Sequence, residues 1–322
     1  MKTKTKKALV YSSVGLGDGL LFLIISNNLS KNGYAVDTYH PFLSEMNESF
    51  KYTSIKSYPK DIEAFKKSLE SYDLIIINSD YESLNKELIK YTKKHLKEKT
   101  YELHPSTCKG KNPPIGDLRF DFTMSVVENL TIFCENDLNL KDVKSSNEIS
   151  TLEGLQYRKF SKRVAIHPSS KDIEKNWPKK NFESLFQKLK FLGYEPYFII
   201  AKHEREQFSD LKDIAKVEIP TFNNLNEMAS FIYESAFFIG NDSGVAHLAS
   251  SLKIPTLTIF STKRKQRFWK PNFYKSRTVV SWPLLNIKGL RLREKYWKKT
   301  ISVNRVLKSF QKLVKDHERK KL

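Results

Sequence analysis

Short apolar runs alternate with amphipathic stretches along almost the whole chain, and this alternation constrains the fold more than any other feature. In the first half the strand-like runs are 8–12, 35–39, 74–78 and a shorter one near 101–103. Helical periodicity falls between them at about 19–31, 60–70 and 82–97. In the second half the runs are 163–167, 196–201, 236–240, 256–260 and 278–281. Helices are expected there near 181–192, 203–213, 224–234, 243–252 and 301–316. Strand–helix repetition of this kind implies parallel sheets joined by right-handed crossovers. Each half holds four or five such units, so two doubly wound α/β domains are more economical than one large sheet. With 322 residues, each has enough chain for its own core. The boundary is expected within 137–160, where DLNLKDVKSSNEISTLEGLQ is polar and lacks periodicity, dividing the chain into 1–150 and 151–322. Two such domains facing a cleft would hold a ligand at the C-terminal ends of their strands.

Composition removes several function classes. The 39% apolar and 12% aromatic content argues against disorder. Cys108 and Cys134 lie in no His/Cys cluster and read as small core residues of a reducing compartment. The opening MKTKTKKALVYSSVGLGDGLLFLIIS is basic and then apolar, like a leader peptide, but glycines and Asp18 interrupt it and no small-x-small site follows. It reads instead as a strand, a glycine turn and a helix. No run of about 18 apolar residues occurs, so a cytoplasmic protein is expected. The net charge is +20, yet residues 261–322 hold 20 of the 56 basic residues and only three of the 36 acids. Such a concentration suits a polyanionic surface (nucleic acid, anionic lipid or phosphorylated glycan), or a solvated basic face in a lysine-rich chain.

Three strand ends carry the chemistry. After the first strand comes SSVGLGDGL, where Gly15 and Gly17 permit a tight turn and Asp18 stands near a helix start. The spacing is not GxGxxG, so a dinucleotide site is weakly supported. Asp18 is either an N-cap or a carboxylate able to act as general base. The second end is VAIHPSSKDIEKNWPKKNF, in which Ser169, Ser170 and Lys175 could cradle a phosphate, or the loop could simply be anchored by Trp177. The third is GNDSGVAHLASS, residues 240–251. Its helix begins near Ser243 or Gly244, with unpaired N–H groups and a positive dipole end suited to phosphate. Asp242 could cap that helix or accept hydrogen bonds from sugar hydroxyls. Asp242, Ser243 and His247 contain the residue types of a hydrolytic triad, but no GxSxG elbow and no third orienting group accompany them. His247 is otherwise a core histidine.

These segments together resemble the heptosyltransferase family, glycosyltransferase family nine. IGNDSGVAHLASSLKIPTLTIF (239–260) is similar to its Asp-Ser/Thr-Gly-x-x-His-x-Ala segment. IHPSSKDIEKNWPKKNFESL resembles its basic residue and Trp-Pro before a helix, and GLGDGLL its N-terminal Gly-Asp motif. Motif order agrees over about residues 7–315. The resemblance implies a GT-B enzyme with two Rossmann-like domains, the N-terminal one binding acceptor and the C-terminal one binding a nucleotide sugar. Its activity would be inverting transfer of a sugar, heptose from ADP-heptose, to a lipopolysaccharide core or related glycan.

By position, Asp18 matches the family's base and Lys175 a lysine on the donor's phosphate or sugar. Asp242, Ser243, Gly244 and His247 match the donor loop, and Glu204, or Glu206 in another register, a glutamate near the ribose. No Asp-x-Asp motif is suitably placed, so neither metal nor cofactor is expected. The implied partners are the donor, an anionic glycolipid or oligosaccharide acceptor, and an anionic membrane contacted by the basic C-terminal region, with no nucleic acid. Trp269, Tyr296 and Trp297, interleaved with that charge, would sit at the interface. Two features depart from the family: Gly19 replaces an apolar residue, and the first helix lacks its common proline. The alternative is a protein-modifying relative, or a catalytically degenerate one that only binds nucleotide sugar or polyanion.

Overall fold

The computed structural model describes residues 5–80, 82–105, 117–118, 120–208, 219–282 and 296–318. The chain divides into two compact units, Met1–Thr151 and Leu152–Leu322. In the first, β1 (Lys7–Tyr11), β2 (Ala35–Tyr39), β3 (Ser54–Lys56), β4 (Leu74–Asn78) and β5 (Thr100–Leu103) form a parallel sheet ordered β3-β2-β1-β4-β5. In the second, β6 (Phe160–His167), β7 (Glu195–Phe198), β8 (Ser235–Asn241), β9 (Thr256–Phe260) and β10 (Ser276–Val280) form a parallel sheet ordered β10-β9-β8-β6-β7. Each order reverses once, between β1 and β4 and between β6 and β8. Crossovers diverge at such switch points, which makes the strand ends beside them the natural place for a ligand.

The opening segment folds as strand, turn and helix. Helix α1 (Leu16–Lys31) is buried from Gly19 to Leu29, and a helix that is apolar nearly all round belongs in a core. Its asparagines also explain the polar stretch that follows residue 137. Asn28 Nδ2 donates to Lys144 O and its Oδ1 accepts the Lys144 N–H, both at 2.8 Å. Asn32 makes the same pair with Lys141, at 3.1 and 2.8 Å, and Asn27 donates to Ser146 O at 2.9 Å. Residues 141–146 are therefore not a free linker. Side chains of α1 serve their backbone as a neighbouring strand would.

Around the first sheet lie α2 (Ile62–Ser68), α3 (Ser83–His95) and α4 (Val126–Asn136), the last opened by a Ser125–Glu128 capping box. Around the second lie α5 (Lys179–Phe191), α6 (Leu225–Tyr233), α7 (Gly244–Ser251), α8 (Lys263–Trp269) and α9 (Val303–Glu318). The helix expected at 203–213 is instead two short 3-10 turns, Lys202–Glu204 and Glu206–Phe208, and residues 209–218 lie outside the described ones. The second core gathers Trp177, Phe182, Phe186, Phe198, Phe237, Trp297 and Phe310.

One expectation about a side chain changes. Trp297 is a core residue, 3% exposed, with Nε1 donating to Glu174 O at 3.2 Å, so it is not available to an interface. Trp269 and Tyr296 are half-buried, while residues 283–295 and 319–322 of the basic region lie outside the described ones. Cys134 is buried, and that burial pushes its thiol up to about 12; Cys108 is outside the described residues. Among the described residues no helix is long and apolar enough to cross a membrane.

Candidate functional site

At the end of β1 the chain turns into α1 through Ser12, Ser13, Val14 and Gly15. The helix N-cap is Gly15, with φ −69° and ψ 123° and no side-chain cap. Asp18 is thus not the cap; it is the third helical residue, half-buried, in the same first turn as Gly17. Its carboxylate folds back over Gly15, where an added Cβ would lie 2.3 Å from Asp18 Oδ2. Glycine at 15 leaves room for this carboxylate, while its dihedrals are open to any residue. The neighbouring strand ends are polar. Asn78 Nδ2 donates to Ser13 Oγ at 3.1 Å, and the Tyr58 hydroxyl donates to Ser12 O at 2.6 Å. Burial holds that hydroxyl well above its usual range, helped by Tyr11 and by the charges of Asp80 and Asp18. Asp80, just after β4, is a second carboxylate that sequence patterns did not single out.

In the second unit the residues after β6 and β8 meet at the switch point. Asn241, fully buried at the end of β8, donates to Pro168 O at 2.6 Å and accepts the Trp177 N–H at 3.0 Å. One side chain thus staples the 168–177 loop to the strand that leads into Asp242. Trp177 anchors the loop from beneath, 1% exposed, with Nε1 donating to Ile301 O at 2.9 Å. Ser170 is spent inside the loop, 2.6 Å from Asn176 Oδ1 and 2.9 Å from Asp172 O. Lys175 closes a 3-10 turn whose cap is Asp172, and remains half-buried.

The same edge holds a relay that reaches back to β6. His167 Nε2 lies 3.2 Å from Glu204 Oε2, and His167 Nδ1 lies 3.4 Å from Ser243 Oγ. Glu204 also accepts the Ala201 N–H at 2.9 Å. Burial alone would raise its carboxyl, but His167, the Ala201 N–H and Ser169 outweigh that and hold it at about 2. Ser169, buried, therefore faces Glu204. Glu204 joins the cluster, whereas Glu206 is exposed.

Ser243 is the N-cap of α7, yet its side chain makes no cap bond because it turns to His167. The first N–H groups of α7, at Gly244 and Val245, keep their anion-binding character without a serine oxygen upon them. Cations stand nearby. Enclosure pushes the Asp242 carboxyl up to about 6, with Lys175 and Lys265 pulling it down and Asp172 adding to the rise. Lys265 comes from α8, whose cap Thr262 accepts the Lys265 N–H at 3.1 Å. That helix was hidden in the basic tail, so its link to the site had no signal beyond its position after β9. His247 is buried within α7, and burial lowers its imidazole to about 4, so it is neutral. It does not pair with Ser243; His167 does. Among the described residues no group of three or more His, Cys, Asp or Glu could hold a metal.

A family model described as glycosyltransferase family 9 (heptosyltransferase) matches residues 119–292, just over half of the chain. The chain belongs to this family. As a family 9 member it is 32% identical over 134 residues to lipopolysaccharide heptosyltransferase 1 of Campylobacter coli, covering 38% of this chain and 39% of that relative. It thus spans about two fifths of the length of that curated relative. The glycosyl transferase family 9 structure from Veillonella parvula covers 98% of this chain and 99% of its own at a TM-score of 0.72 and 15% identity. An E. coli heptosyltransferase with ADP covers 95% and 99% at a TM-score of 0.66, again at 15% identity. At that identity the structures show the fold: two parallel five-stranded α/β units of GT-B type.

Proposed function

We propose that this family 9 chain is an inverting glycosyltransferase that moves heptose from ADP-heptose to a lipopolysaccharide core or related glycan acceptor. The observation that carries the reading is the start of α7, left open by Ser243 and accompanied by Lys175 and Lys265. A diphosphate needs such a set of N–H donors and cations. The similarity to a lipopolysaccharide heptosyltransferase and to a heptosyltransferase with ADP supports the donor and acceptor classes.

In this reading the first unit takes the acceptor and the second the donor. Asp18 accepts the proton of the acceptor hydroxyl as its oxygen attacks C1 from the face opposite the diphosphate. The C1–O bond to phosphate breaks, and ADP departs with one more negative charge. Lys175, Lys265 and the α7 N–H groups are pre-set where that charge grows, which is the efficient form of electrostatic catalysis. Ionised Glu204 suits ribose hydroxyls and Asp242 the hydroxyls of the sugar. Lysines and a helix N-terminus can take the place of a metal at the diphosphate, so transfer should persist in EDTA. The enzyme would work in the cytoplasm at the inner membrane face, its basic C-terminal region toward anionic lipid or phosphorylated glycan.

The test is Asp18→Asn. Positioned base catalysis contributes about 10²–10⁴-fold, so kcat should fall by that order while ADP affinity, set in the other unit, stays within about twofold. Unchanged turnover would remove Asp18 from the chemistry. Thermal stabilisation by ADP over UDP and GDP tests the donor class, and absence of any ADP effect refutes it.

A further inference from the structure

The turn that carries Asp18 is held by a histidine from another strand. His40 follows β2 and is fully buried. Its main-chain N–H donates to Lys56 O at 2.9 Å, which ties it to the end of β3. Its ring is committed on both sides. Nδ1 accepts the N–H groups of Phe42 at 3.2 Å and Leu43 at 3.1 Å, so Nδ1 carries no proton. The proton is on Nε2, which donates to Gly15 O at 3.2 Å. Burial lowers the imidazole to about 4, against the pull of the Gly15 carbonyl, so the ring is neutral and its tautomer fixed.

Two further contacts join this ring to the base. Gly15 O also accepts the Gly19 N–H at 2.9 Å, the first hydrogen bond of α1. A Cβ at Gly19 would lie 2.4 Å from His40 Cδ2 and 2.7 Å from Nε2, so the ring rests directly on that glycine. The Asp18 carboxylate packs over Gly15, whose carbonyl is the shared acceptor. His40, Gly15, Gly19 and Asp18 thus form one packed block, with a single oxygen at its centre. A glycine in a helical turn costs helix stability, and a buried histidine costs desolvation. Apolar residues at 19 and 40 would fill the same space without either cost.

We infer that His40 is a positioning residue for Asp18, and that Gly19 is small so that the imidazole can reach the Gly15 carbonyl. This rests on the assignment of Asp18 as base. It accounts for Gly19 where the family's apolar residue is expected, because a larger side chain would displace His40. The Nε2 bond is the one that matters for the base; the Nδ1 bonds hold the loop after β2.

Two conservative variants separate these bonds. His40→Asn offers an acceptor near Nδ1 but cannot donate to Gly15 O. His40→Gln offers a donor near Nε2 but loses the acceptor for Phe42 and Leu43. With ADP-heptose and heptose-deficient lipopolysaccharide as probes, His40→Asn is expected to lower kcat about 10- to 100-fold, the order that a 1 Å displacement of a catalytic group produces. KM for ADP-heptose should stay within about twofold. His40→Gln should recover most of kcat, even where its melting temperature is the lower of the two. Crystal structures of both variants read the same point without turnover: the Asp18 carboxylate should leave Gly15 in His40→Asn and stay in His40→Gln. Loss of transfer in Asp18→Asn with full transfer in His40→Asn overturns the positioning role alone. Activity that follows melting temperature in both His40 variants also overturns it. Full transfer in Asp18→Asn overturns the base and this inference with it.

Discussion

Asn241→Leu isolates the staple that assembles the second unit's strand-end edge. The asparagine is fully buried, with Nδ2 on Pro168 O at 2.6 Å and Oδ1 on the Trp177 N–H at 3.0 Å. Leucine keeps the branching and the number of side-chain heavy atoms, so the change removes both hydrogen bonds, and its bulkier methyl groups add some overpacking. It strands one carbonyl and one N–H away from water. Each orphaned buried group costs roughly 1–3 kcal/mol, so the pair should cost about 2–6 kcal/mol. In a domain of this size 1 kcal/mol moves Tm by about 2–4 °C, which predicts a fall of about 4–24 °C for the second unit's transition. Differential scanning calorimetry of the full chain reads that transition. Lys175 precedes Trp177 by two residues, so titration calorimetry should also show weaker ADP binding. A Tm within about 2 °C of the parent, with ADP affinity intact, would refute the staple.

Asp242 gives a pH prediction of defined sign. Its folded value of about 6 lies above the ordinary 3.8, so the folded state holds the proton more tightly. The stability this supplies is full below about pH 4 and lost as pH rises through about 6. Asp242→Asn should therefore exceed the parent in stability at pH 7.5, by up to about 3 kcal/mol, with the gap closing at pH 4 in urea titrations; a gap independent of pH would contradict this. Lys265→Ala should weaken ADP binding about 3- to 10-fold, the effect of one nearby charge at intermediate dielectric, and an unchanged Kd would separate α8 from the donor. Trp297→Ala should lower the second unit's stability by about 3–5 kcal/mol, as truncation of a core aromatic does, while binding to anionic vesicles is unaltered. Wild-type stability with lost vesicle binding would restore Trp297 to the interface.

The strands were legible because a parallel strand covered on both faces is a continuous apolar run. Leu74–Asn78 and Thr256–Phe260 are buried throughout and match their runs residue for residue. β3 was not legible, since only Ile55 of its three residues is buried. Asp18, Lys175, Glu204 and the 242–244 turn were legible as strand-end polar residues, and the resemblance supplied their roles. His40 was not, because a lone histidine after a strand carries no periodicity or motif. Its meaning lies in Gly15, 25 residues earlier. Ser243 was legible only as part of the strand-to-helix turn, and its approach to His167, 76 residues away, shows why it makes no cap bond.

The sequence by itself determined the class of the fold and the three strand ends where polar residues interrupt apolar runs. Those properties are local: hydrophobic period, glycine placement and capping chemistry act over a few residues. Only the tertiary structure decided which strand ends adjoin, because sheet order brings β1 beside β4 and β6 beside β8. That order set His40 on the Asp18 turn, Asn241 on the lysine loop and His167 between Glu204 and Ser243. Hydrogen bonds of about 3 Å between residues 25 to 76 positions apart follow from packing, and no local pattern encodes them.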